Sequence, residues 1–198
     1  MNTNKPHDSN GKLLAFEGAH SCGKTSISMC VAEKLSALPG HIAIWRAFPG
    51  RMEGTLGSVI YDFHHHSSRY VTRPPSPLAL QALHIAAHID NIQFELADAL
   101  ARGVTVVLDR CWWSTWVHGM DGGCDEQLLN RFLEIEKQVW GLVNCTVFLV
   151  QRAEAFTPKI VELYRQIAKR EQGKVRVEYI QNEGTINDVS ERIVNMIQ

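Results

Sequence analysis

The sequence predicts an α/β fold, a mainly parallel sheet with helices packed against it. Three observations predict it. Short apolar runs alternate with longer helical patterns from Leu13 onward, the order expected of βαβ units. A glycine-rich stretch, GAHSCGKT, separates the first apolar run from the first helical pattern. The 198 residues, 45% of them hydrophobic, suit one domain with a sizeable core.

LLAFE, 13–17, is apolar and closed by a glycine, which reads as a buried parallel strand. KTSISMCVAEKLSA, 24–37, has helical spacing. HIAIWRAF, 41–48, alternates less cleanly, but Gly40 and Pro49 bound it as a second strand. Residues 54–65 read as helix. Pro74, Pro75 and Pro77 break the chain, and a long helix follows over about 78–102 until Gly103 stops it. VTVVLD, 104–109, is β-branched and apolar and reads as strand. Helix is expected at 125–140, strand at 144–150, helix at 157–171, strand at 174–180 and a last helix at 185–197.

The formal charge of −1 gives no global attraction to nucleic acid, although it leaves room for a local basic groove. Five scattered cysteines include no C-x-x-C pair, which suggests reduced thiols and a cytoplasmic setting. No apolar run approaches the roughly 18 residues of a membrane span. The polar start, 1–11, reads as a flexible tail ahead of a single domain, 12–198.

Gly18, Gly23, Lys24 and Thr25 form the pattern G-x-x-x-x-G-K-T, after a strand and before a helix. Glycines let backbone N–H groups turn inward around phosphate oxygens, and the following helix points its positive end at them. Residues Gly18, Ala19, His20, Ser21, Cys22, Gly23, Lys24, Thr25 and Ser26 are therefore the candidate triphosphate cradle. Lys24 is placed to reach the β and γ phosphates of ATP, and the Thr25 hydroxyl to ligate Mg2+. A switch GTPase, a motor ATPase and a small kinase would all carry this loop. VVLDR puts Asp109 and Arg110 at the carboxyl end of a strand, where open α/β sheets bind ligands. An Asp there can hold Mg2+, and an Arg can neutralise charge on a transferring phosphoryl group. Alone, the pair also fits a surface ion pair.

Taken in order, FEGAHSCGKT, FPGR (48–51), TLG (55–57), LHIAAHIDNIQFELADALARG (83–103) and DRCWWSTWVHG (109–119) resemble the thymidylate kinase family over about 12–150. The resemblance implies a P-loop three-layer sandwich with a five-stranded parallel sheet. It implies that Lys24 and Thr25 hold ATP and Mg2+, that Arg51 grips the acceptor's 5′ phosphate, that Asp109 and Arg110 act at the transfer site with Asp109 a Mg2+ ligand, and that Ser114 lies on the acceptor side. A homodimer also fits this reading.

The chain departs from that pattern in four places. Where the family has an acid facing the acceptor's 3′-hydroxyl, it has His20. A carboxylate repels a 3′-phosphodiester; a histidine tolerates one and, when protonated, attracts it. Equally, His20 fits as a space-filler. His84 and His88 replace a base-stacking phenylalanine and a base-bonding arginine, and they share a helix face. As i, i+4 histidines they also suit zinc, but no glutamate or assured third ligand accompanies them; HHH at 64–66 reads as an exposed helix end. The arginine-bearing lid after Val150 is shortened, with Arg152 a partial substitute, and the phosphate loop has Ser21 and Cys22 where an arginine is usual. Trp112 and Trp116 share a face and fit either base stacking or, more commonly, a core. His118 falls on a family tyrosine. The seven Lys or Arg and three Glu of 152–176 suit either a nucleic-acid path or a solvated helix face.

Two acceptors remain open. One is a free deoxynucleoside monophosphate, with dTMP becoming dTDP. The other, toward which the departures point, is the hydroxymethyl group of 5-hydroxymethyluracil in DNA, the substrate of a bacteriophage branch that elaborates thymine. An alcohol acceptor needs a base, for which Asp109 and Glu17 are the candidates. A nucleotide-binding module without catalysis is the reading outside enzymes.

Overall fold

The computed structural model describes residues 11–50, 52–140, 145–152 and 158–198. Five parallel strands form the sheet: β1 (Leu13–Glu17), β2 (Ala43–Ala47), β3 (Thr105–Asp109), β4 (Cys145–Gln151) and β5 (Arg176–Gln181). Their spatial order is β2-β3-β1-β4-β5. Leu13 lies opposite Val106 on one side and Cys145 on the other, so β1 is central.

Side chains of a strand alternate between its two faces, and that alternation divides the core. Leu14, Phe16, Val107, Phe148 and Val150 pack against α1 (Lys24–Ser36) and α8 (Ile186–Ile197). Leu13, Ala15, Val106, Leu108, Val147 and Leu149 face the opposite layer. That layer holds α3 (Pro77–Asn91), α5 (Trp112–Asp121), α6 (Glu126–Trp140) and α7 (Pro158–Glu171). The result is a three-layer sandwich.

Local chemistry sets the helix ends. Thr55 caps α2 (Leu56–His65) through Ser58 N at 3.2 Å. Ser76 caps α3, with Pro77 in its first turn, where the missing N–H costs nothing. Thr185 and Asp188 close a reciprocal capping box on α8.

The long helix expected near 78–102 forms as α3, a π-helical turn Ile92–Leu96, and α4 (Ala97–Ala101). The wider turn carries Glu95, which pairs with Arg46 on β2. Helix α5 lies where the sequence gives no helix; its N-terminus is held from a distance by Glu17, as described below.

The site follows from connectivity. The chain leaves β1 toward the α1 face and leaves β3 toward the α5 face, although β1 and β3 are neighbours. Opposed connections open a crevice at the strands' carboxyl ends, and Glu17 and Asp109 end those two strands. The tail at 1–10, Arg51 and most of the lid segment, 153–157, lie outside the described residues.

Candidate active site

The loop from Gly18 to Thr25 runs from β1 into α1. Gly18 has φ +144°, and a Cβ there would stand 2.3 Å from the Val150 carbonyl oxygen. Gly23 has φ +92°, and its Cβ would stand 2.3 Å from Asn182 Nδ2. Asn182 in turn donates to the Cys22 carbonyl at 2.7 Å, so the loop following β5 braces the cradle. Ala19, Cys22 and Lys24 are buried, while His20, Ser21, Thr25 and Ser26 face outward. Lys24 Nζ donates to the Ala19 carbonyl at 3.2 Å. Burial, followed by the nearby Arg110 charge, holds its ammonium below the usual lysine range.

Thr25 Oγ1 donates to Asp109 Oδ2 at 2.5 Å, and Asp109 Oδ1 is buried without a partner among the described residues. A hydroxyl and a carboxylate with one unmet oxygen form a hard-oxygen donor set that fits Mg2+. Thr25 and Asp109 are the residues that would hold it.

Glu17 has no exposed surface. Its Oε1 accepts from the backbone N–H of Cys111 at 2.7 Å and of Ser114 at 2.9 Å. Its Oε2 accepts from the Ser114 hydroxyl at 2.6 Å and the Tyr164 hydroxyl at 3.1 Å. Four donors engage this carboxylate, two of them at the start of α5, where a negative charge is favoured. That geometry removes the reason for reading Glu17 as a base: it is an anchor for α5. Arg110, at φ +82°, donates through Nη1 to the Ser114 oxygen at 2.7 Å and the Tyr164 oxygen at 3.3 Å.

A cavity of about 530 Å3 opens from this edge toward α2 and α3, within the usual range of about 300–1,000 Å3 for small-molecule sites. Asp109, Arg110, Ser114, His20, His84, His88 and His118 all line it, so one cavity joins the transfer edge to the expected acceptor residues. His84 and His88 take different partners. His84 Nε2 is 2.9 Å from His64 Nδ1. His88 stacks on Phe48 at 4.1 Å between ring centres and places Nδ1 3.0 Å from Glu136 Oε1.

Burial, helped by neighbouring His88 and His64, pushes His84 down to about 3. Burial and then Arg110 push His118 down to about 4. His20, with its ring 6.2 Å from that of His118, is lowered by the same two causes. A protonated His20 drawing in a phosphodiester is therefore not supported.

One further expectation is corrected, and one alternative that the sequence leaves open is resolved toward the solvated face. Trp112, read as an acceptor contact, is 4% exposed and packs in the core with Trp113 and Trp116, on the α5 side of the sheet. Large apolar rings at that spacing found the interior instead. The basic excess after β4 is largely paired: Lys159 with Asp121, Arg170 with Glu126 and Glu171, and Arg176 with Glu178. Residues that sequence reasoning missed are Tyr164, Asn182 and Glu136. Their roles arise from contacts between distant segments and leave no local signal. His64 and His65 are exposed at the end of α2, as expected, and also line the cavity.

No protein-family model matches the chain. Over 102 residues it is 30% identical to the thymidylate kinase of Geobacter sp. (strain M21), which is 50% of this chain and 42% of that protein. Over 150 residues it is 27% identical to the thymidylate kinase of Nostoc punctiforme, which is 72% of this chain and 69% of that protein. The match thus spans less than half of the Geobacter relative. The crystal structure of thymidylate kinase from Ehrlichia chaffeensis superposes with a TM-score of 0.74 at 20% identity, covering 96% of this chain and all 100% of that one, which establishes the fold. In sequence the chain is similar to these thymidylate kinases, and in fold it matches a solved one.

Proposed function

We propose that the chain is an ATP-dependent phosphotransferase whose acceptor is the phosphate of a free pyrimidine deoxynucleoside monophosphate, as in thymidylate kinase. The observation that carries this choice is the state of the two carboxylates at the transfer edge. Glu17 is engaged by four donors and buried. Asp109 is turned to the Thr25 hydroxyl. Glu17 has no oxygen free to take a proton from an alcohol, and the unpartnered Oδ1 of Asp109 is the oxygen assigned to Mg2+. A phosphate monoester is already ionised near neutral pH and needs no such base. The similarity to proteins named thymidylate kinase supports the same choice over 5-hydroxymethyluracil in DNA.

In this reading the loop N–H groups and Lys24 bind the triphosphate tail. Thr25 and Asp109 would hold Mg2+, which when bound would supply charge neutralisation on the phosphates. Arg110 stabilises charge on the transferring group from the acceptor side. His84 and His88 line the space for the base, and Phe48 backs His88.

The test is transfer of labelled γ-phosphate from ATP to dTMP, to 5-hydroxymethyl-dUMP and to DNA carrying 5-hydroxymethyluracil. Label on the mononucleotides is expected. Label confined to the polymer would replace this reading with the DNA kinase, and ATP binding without transfer would leave a nucleotide-binding module.

A further inference from the structure

We propose that Tyr164 is a positioning residue for phosphoryl transfer: with the Ser114 hydroxyl, its phenol holds the Arg110 guanidinium at the transfer edge. This rests on the phosphotransferase reading above and concerns a residue outside the phosphate loop and outside the acceptor motifs. Tyr164 is carried by α7 and is 2% exposed.

The argument is a proton count. A hydroxyl has one proton to donate and two lone pairs. The Ser114 proton goes to Glu17 Oε2 at 2.6 Å, and the Tyr164 proton has two acceptors in reach, the same carboxylate oxygen at 3.1 Å and the Ser114 oxygen at 3.0 Å. With both protons committed, each oxygen is an acceptor toward Arg110 Nη1, at 2.7 Å and 3.3 Å. Burial, then the Glu17 carboxylate, pushes the phenol well above its ordinary range, which keeps that proton in place.

Glu17 and Arg110 therefore face each other through two hydroxyls rather than in direct contact. Arg110 is aimed by its side-chain partners from a left-handed backbone, φ +82°, that a non-glycine residue rarely adopts. Arg110 itself lines the cavity beside this anchored edge. Because Tyr164 lies on α7, the same phenol ties that helix to Arg110.

Tyr164→Phe removes the hydroxyl and keeps the buried ring. Run beside the wild type with ATP and dTMP, it should lower kcat by about ten- to a hundredfold, the cost of a misplaced reacting group. The KM for ATP should hold, and the melting temperature should stay close to wild type. Arg110→Lys should cost less in the Tyr164→Phe background than alone, since the two changes damage one function. Wild-type kcat in Tyr164→Phe, or a loss that appears only as a raised KM for ATP, overturns this inference and leaves the kinase reading standing. Additive losses in the double variant also overturn it. No transfer by the wild type overturns the kinase reading, and this inference with it.

Discussion

The Thr25 hydroxyl and the Asp109 carboxylate meet at 2.5 Å, joining the first turn of α1 to the end of β3. The contact unites two segments 84 positions apart in sequence. It also leaves Asp109 Oδ1 buried and unpartnered among the described residues. An unmet buried carboxylate oxygen is costly unless something binds it. Asp109→Asn preserves the shape and removes the charge. We expect kcat to fall by about 10²-fold, the cost of losing one aligned electrostatic contact. The Mg2+ concentration for half-maximal activity should rise, and ATP affinity measured calorimetrically without metal should change little. An unchanged Mg2+ titration would remove Asp109 from the metal site.

Gly18 in the cradle and Gly40, in the connection from α1 to β2, separate two costs. Gly40 has φ +76° and open space around its missing Cβ. Alanine there meets only the left-handed backbone penalty, about 1–2 kcal/mol. For a domain of this size that is a melting-temperature loss of roughly 2–8 °C. Gly18→Ala adds a contact at 2.3 Å with a backbone oxygen of β4, which cannot swing aside. It should lower the melting temperature further and abolish ATP binding, whereas Gly40→Ala keeps it. Equal losses in the two variants would argue against the steric reading of Gly18.

The contrast between Gly18 and Glu17 explains how much of the site was legible. The phosphate loop is a local pattern, with residue types fixed within eight consecutive positions, so sequence alone places it. Glu17 adjoins it, but its partners are Cys111, Ser114 and Tyr164. Nothing near Glu17 in sequence distinguishes a base from a cap. The same distance hides α5: CWWSTW has no local cap signal, and its N-terminal N–H groups are satisfied from β1. Trp112 failed for a related reason, because helical spacing says which residues share a face and leaves open what that face meets. The strands were legible throughout, since buried parallel strands read as apolar runs wherever they occur.

The histidines predict a pH dependence with a definite sign. In the folded chain His84 sits at about 3 and His118 at about 4, against an ordinary 6.5. Unfolding releases both to the ordinary value. Between those limits the unfolded chain binds protons that the folded chain refuses, so stability rises with pH there. It is fully present above about pH 6.5 and is lost as pH falls toward the folded values. The melting temperature at fixed ionic strength should be level from pH 8 to 7 and should decline by pH 5. His84→Phe should flatten the decline, having removed one of the titrating groups. A wild-type melting temperature that holds from pH 7 to 5 would contradict the buried neutral state of both rings.

His88, which lines the cavity, bonds to the buried Glu136, and their burial makes them interdependent. Glu136 is 0% exposed, His88 3%, and the 3.0 Å contact is the one described partner of the Glu136 carboxylate. Its second oxygen has none among the described residues. Removing His88 therefore leaves a carboxyl group sealed in the core with neither oxygen bonded. That penalty is about 1–3 kcal/mol for a neutral polar group and more for a charged one. His88→Leu should be strongly destabilising in urea unfolding. His88→Leu with Glu136→Leu should recover much of the loss, because the orphaned group is gone while the interior stays filled. The single variant should also raise the KM for the mononucleotide more than that for ATP, since His88 lines the cavity proposed for the acceptor and is no part of the phosphate loop. If the double variant is no more stable than His88→Leu, the destabilisation comes from lost packing against Phe48 and not from the stranded carboxyl.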